Sequence, residues 1–195
     1  KSLVAAVLAD KGWALVDADG IGRNVVRDDP SVAKELAVAF GDDVIGPDGT
    51  LDRRLVARRA FASAEGTERL NRTVQPALIN RLAETVWNLR SRGMNGVADC
   101  ALVFEWGIEP LFDMVVCVTA KVSTRTRRLK ERDGRTEKEI ERLFSAQLPE
   151  YEKARRADMV FVNEGPVERL AAFGCMIAGL PSCMEEGREW SRQPR

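Results

Sequence analysis

The sequence predicts an α/β fold, a parallel sheet sandwiched by helices, with a helical substrate-binding insertion and a lid. Three observations lead there. Apolar runs at 13–16, 97–103, 114–118 and 159–162 alternate with stretches whose apolar residues recur at helical spacing, and strands alternating with helices argue a sheet covered on both faces. The runs show little polar alternation, as strands buried on both faces do. Asp17, Asp19, Asp99, Glu105 and Asn163 stand at or just past the ends of the runs, and in such sheets ligands gather at the carboxyl ends of strands.

Composition suits one main core. The 195 residues are too few for two comfortable domains, and 45% hydrophobic with 31% charged residues describes a folded globular chain. Thirty basic and thirty acidic residues cancel, so no global positive field recruits nucleic acid or a membrane surface. No apolar run approaches the roughly 20 residues of a membrane span, and a cytoplasmic location is expected. With no histidine and four scattered cysteines, a zinc site is not expected. Cys100 and Cys117 read as buried free thiols of a reduced compartment, and acid–base work falls to Asp or Glu.

Each element follows from its residues. Lys1-Ser2 opens a helix with Leu3, Val4, Val7 and Leu8 on one face and Gly12 as its stop. The next strand runs into Asp17-Ala18-Asp19, and period-two alternation puts both carboxylates on one face. Residues 21–29 read as a short helix or turn. Ser31 reads as the N-cap of a helix carrying Val32, Leu36, Ala39 and Phe40 and closed by Gly41. After the turn Gly46-Pro47-Asp48-Gly49, Leu55, Val56 and Phe61 mark one helix, and Leu70, Val74, Leu78, Leu82 and Val86 another. The core is thus expected in 1–22, 93–120 and 157–178, around a helical substrate domain at 23–92.

A basic helix follows the strand at 114–118. Gly134 ends it, Thr136 and Glu139 have capping-box spacing for a second helix, and Pro149 breaks that one. Helix, glycine turn and helix make a lid over 121–156. The last helix opens near Val167, with Val167, Leu170, Ala171 and Ile177 packing on the sheet, and 179–195 reads as a flexible polar tail.

The chemistry points to phosphoryl transfer. Lys-Ser at a helix start is the end of a P-loop, in which lysine reaches the β- and γ-phosphates and serine ligates magnesium. The chain opens inside that motif, so its glycines and strand would precede Lys1. Asp17 and Asp19 bring two acids toward one point, with a helix-capping turn as the plainer alternative. Arg128 and Arg132 are four apart and share a helix face. Two guanidinium forks on one face can grip one polyphosphate; the alternative is a solvated helix with ion pairs to Glu131 and Asp133.

Five motifs in order resemble the dephospho-coenzyme A kinase family, from Lys1 to about Gly165. They are Asp17-Ala18-Asp19 with Arg23; Phe40-Gly41-Asp42-Asp43-Val44 with Asp48-Gly49 and Leu51-Asp52-Arg53; Asp99 to Glu105 with Leu111-Phe112-Asp113; Arg128 to Gly134 with Ala146-Gln147; and Ala157-Asp158 with Asn163-Glu164-Gly165. The resemblance implies a P-loop NTPase-like fold and transfer of phosphate from ATP to the ribose 3′-hydroxyl of dephospho-coenzyme A. It implies that Lys1 and Ser2 serve ATP and Mg2+, and that Asp19, helped by Asp17, orients or deprotonates the hydroxyl. Arg128 and Arg132 would neutralise phosphate charge, Asn163 would border the adenine, and Asp17, Arg23, Asp99 and Glu105 would serve the substrate. Departures are Gln75 where the family has histidine, Gly22 for alanine and Ala101 for proline. The expected partners are ATP and dephospho-coenzyme A, with neither nucleic acid nor membrane, and the chain is expected to be a monomer or small homo-oligomer. Two rivals remain open: another small-molecule or nucleotide kinase of the P-loop class, and a degenerate non-catalytic relative that only binds.

Overall fold

The computed structural model describes residues 1–190 except Ala146, and the side chains of Asp19, Arg23 and 181–190 also lie outside the described residues. In chain order the elements are α1 (Ser2–Asp10), β1 (Ala14–Asp17), α2 (Ala18–Asp28), α3 (Pro30–Phe40), α4 (Arg53–Ala60) and α5 (Ala64–Ser91). They continue with β2 (Gly96–Asp99), β3 (Val116–Thr119), α6 (Val122–Asp133), α7 (Glu137–Ser145), α8 (Glu150–Arg156), β4 (Met159–Val162) and α9 (Val167–Trp190). The chain divides into two compact units, Lys1–Val16 with everything from Gly93 onward, and Asp17–Arg92.

In the first unit β3 and β4 run parallel, in register from Val116 opposite Met159 to Thr119 opposite Val162. Asp158 starts that ladder by accepting the Val115 N–H at 2.7 Å. β1 pairs with β2 in a separate two-stranded sheet. The single continuous sheet expected from the sequence is therefore corrected: among the described residues no strand joins β2 to β3. Their side chains are held instead through a shared core. Val4 and Leu8 of α1 pack with Leu170, Phe173 and Ile177 of α9, and Val97, Val116, Val118 and Phe161 of the strands close against them. α1 and α9 approach closely at Gly174, where an added Cβ would stand 2.9 Å from Val7 Cγ1. Ala178 and Leu180 join the same core, which carries α9 past Gly179, where the sequence places the start of the tail; residues 191–195 lie outside the described residues. Val167, expected in that core, is exposed.

The second unit is helical. Val25, Val32, Leu36, Val44 and Val56 form its centre, with Leu70 and Val74 of α5 packed against them. Asp29 rather than Ser31 caps α3: its carboxylate accepts the Ser31 N–H at 2.9 Å and the Ser31 hydroxyl at 2.6 Å. Pro30 then takes the first helical turn, where a missing N–H costs nothing. Asp52 caps α4 by accepting the N–H groups of Arg54 and Leu55, both at 3.0 Å.

Candidate active site

α1 begins at Ser2 and β2 ends at Asp99, so a helix N-terminus and a strand C-terminus deliver their side chains to one place. Ser2 Oγ donates to Asp99 Oδ2 at 2.6 Å, and Lys1 Nζ donates to Asp99 Oδ1 at 3.1 Å. Burial works against the Asp99 charge, but the Ser2 hydroxyl and the Lys1 ammonium outweigh it and hold the carboxyl below the usual aspartate range. Lys1 remains half exposed while Asp99 is largely covered. The cluster offers an ammonium, a helix N-terminus with its unpaired N–H groups, and two adjacent hard oxygens. The first two attract anions. Oxygen pairs of this kind suit a hard divalent cation that keeps most of its water.

Asp17 is the N-cap of α2, accepting the Gly20 N–H at 2.8 Å. That cap starts the helix at Ala18, so Asp19 sits in the first turn of α2 and not on the strand. The period-two argument that set Asp17 and Asp19 on one strand face is corrected for this reason. The side chains of Asp19 and Arg23 lie outside the described residues.

Glu105 turns inward. Its Oε1 takes the Lys153 ammonium at 2.8 Å and the Leu148 N–H at 2.9 Å, and its Oε2 is enclosed without a protein partner. Glu105, for which a substrate contact is expected, is thus engaged in an internal ion pair with the buried Lys153. Burial would raise its carboxyl, yet Lys153 and Leu148 together hold it below the usual glutamate range. Lys153 is a residue that sequence reasoning missed, since along the chain it is only one member of a basic group. The available signal was Glu105 itself, because a carboxylate closing an apolar run needs a partner when buried.

Asn163 follows β4, and its N–H bonds to the Thr119 carbonyl at 2.7 Å. The adjacent Glu164 ties this loop to the start of α6, accepting the Lys121 N–H at 2.5 Å and the Thr124 hydroxyl at 2.9 Å. Those bonds, with Lys121 and Arg128 nearby, keep the Glu164 carboxyl low. Arg128 and Arg132 both lie on α6. Arg132 is paired with Asp133 through two contacts of 2.7 and 2.8 Å, and Arg127 with Glu131 at 3.1 Å. Among the described residues no group of three or more carboxylates or thiols is placed to hold a metal ion, and no helix is long and apolar enough to cross a membrane.

The family model described as dephospho-CoA kinase matches residues 1–169. The dephospho-CoA kinase of Corynebacterium glutamicum is 38% identical over 173 residues, covering 88% of this chain and 86% of its own. A Thermus thermophilus crystal structure superposes with a TM-score of 0.70 at 32% identity, covering 92% of this chain and 91% of that one. A Campylobacter jejuni dephospho-CoA kinase structure shares the α/β fold, with a TM-score of 0.61 at 17% identity over 90% of this chain and 88% of its own.

Proposed function

The chain belongs to the dephospho-coenzyme A kinase family, and on that premise we propose that it transfers the γ-phosphoryl group of MgATP to the ribose 3′-hydroxyl of dephospho-coenzyme A. The observation that carries the reading at residue level is the meeting of Lys1, Ser2 and Asp99 at the N-terminus of α1. Transfer through a loose transition state needs alignment and charge neutralisation more than covalent help. Lys1 supplies positive charge to the β- and γ-phosphates. Ser2 Oγ, with Asp99 beside it, fits the oxygen requirement of the Mg2+ that arrives with ATP. Asp99 keeps the lysine and the hydroxyl ordered before the nucleotide binds.

Asp19, assisted by Asp17, orients the acceptor hydroxyl and takes its proton. Arg23 and the helical unit serve dephospho-coenzyme A. Arg128 and Arg132 clamp the polyphosphate, with Arg132 exchanging Asp133 for phosphate oxygens. Asn163 borders the adenine. Residues 121–156 act as a lid that keeps water from the reacting phosphate. Cys117 and Cys175 are free thiols, which supports a reducing, cytoplasmic setting.

Turnover with ATP and dephospho-coenzyme A, set against adenosine monophosphate as the acceptor, tests the substrate. Preference for the nucleotide monophosphate would replace this reading with another kinase of the class. Asp19→Asn is expected to abolish transfer while ATP still binds; unchanged turnover would refute the base assignment.

A further inference from the structure

Lys153 is a charged residue sunk in the first unit, 7% exposed. An apolar side chain of similar length would fill the space without stripping water from an ammonium, and such replacements are often neutral or stabilising. What the ammonium adds is direction. Its N–H groups reach Glu105 Oε1 at 2.8 Å, Gln147 Oε1 at 3.0 Å and the Ala101 carbonyl at 3.4 Å. Glu105 Oε1 also accepts the Leu148 N–H, while Glu105 Oε2 is enclosed with no donor. A pair left half satisfied is a poor way to gain stability.

The three acceptors lie on two segments that, among the described residues, no strand ladder joins. One is the turn between α7 and α8. The other is the stretch that leaves β2 at Asp99, bonded beyond that point mainly to itself, as in Trp106 N–H to Leu102 and Ile108 N–H to Val103. Three residues further along α8, Arg156 reaches the same stretch, pairing with Glu109 and lying 5.0 Å over the Phe104 ring. α8 therefore grips residues 101–109 with two cations, and the buried one contacts the backbone two residues after Asp99.

We infer that Lys153 is a positioning residue for phosphoryl transfer: with Glu105 it sets the strand-to-turn junction that aims Asp99 at Lys1 and Ser2, and it anchors the returning end of the lid. The inference rests on the function proposed above. It assigns Lys153 no contact with substrate.

The test is the double variant Lys153→Met with Glu105→Leu in the full chain, which removes both charges together and leaves no buried ion unpaired. A merely structural role predicts a lowered thermal midpoint with wild-type kinetics. The positioning role predicts retained thermal stability, a fall in kcat/KM for MgATP of about 10²-fold, as expected when reacting groups are displaced by about an ångström, and faster amide hydrogen exchange over 99–105. Where the wild-type chain turns over, wild-type kinetic constants in the double variant overturn the inference. Where the wild-type chain transfers nothing to dephospho-coenzyme A, the functional reading fails separately and exchange decides: unchanged protection over 99–105 overturns the inference, and faster exchange sustains it. Should the double variant not fold, Lys153→Arg keeps the ion pair but replaces the compact ammonium, which meets all three acceptors from one nitrogen, with a larger planar fork that shifts the junction. Reduced turnover in that variant supports the inference, and wild-type turnover overturns it.

Discussion

Asp99 serves two donors at once because its oxygens face different ways, Oδ2 toward Ser2 and Oδ1 toward Lys1. Asparagine would keep the shape but offer one acceptor and no charge. A hydrogen bond to a charged group is worth about 1.5–3 kcal/mol, so Asp99→Asn is expected to weaken MgATP affinity roughly 10- to 100-fold, read by equilibrium binding; unaltered affinity would remove Asp99 from the phosphate site. Glu105 makes a prediction about pH. Its folded pKa lies below the unfolded one, so its contribution to stability is complete above the unfolded value and disappears as pH falls through the folded value. Thermal midpoints measured down the acid limb should therefore fall, and Glu105→Gln should flatten that part of the decline while lowering the midpoint at neutral pH. A parallel decline in the variant would rule Glu105 out as a source of it.

Elements here are set by their ends. The capping box between α6 and α7 forms as its spacing demands, with Thr136 N–H to Glu139 Oε2 at 2.8 Å and Glu139 N–H to Thr136 Oγ1 at 3.4 Å, and Gly134 adopts the left-handed turn with φ of 62°. Asp52 offers the cleaner test, because it accepts two N–H groups at the start of α4. Asp52→Ala should cost about 1 kcal/mol in urea unfolding. Gly66, in the first turn of α5, is there for space: a Cβ would meet the Ala60 carbonyl oxygen at 2.6 Å. Gly66→Ala should destabilise despite the better helix propensity of alanine; a stabilised variant would show that the α4–α5 connection has room to move. Helices were legible because caps and periodicity are local. Strand lengths were less so: the run at 97–103 pairs only over Gly96–Asp99, since Lys153 and Glu105, not a neighbouring strand, hold the residues beyond Asp99.

At the scale of the molecule, each unit carries its own core. Leu82 is fully buried in the helical unit, and Leu82→Ala should cost about 2–5 kcal/mol, with hydrogen exchange accelerating within 17–92; unaffected exchange there would show that Leu82 does not hold that unit together. By itself the sequence determined the alternation of strands and helices apart from α8, the helical character of the stretch ending at Arg92, and the family. Those depend on period, cap and motif, which are written in neighbouring residues. Only the tertiary structure decided that Asp17 caps a helix, that Asp99 receives Lys1 and Ser2 from 98 and 97 positions away, and that Glu105 is answered by a buried lysine. The physical reason is that a carboxylate's partner is whichever donor packing brings within about 3 Å, and packing joins segments whose separation along the chain leaves no local trace.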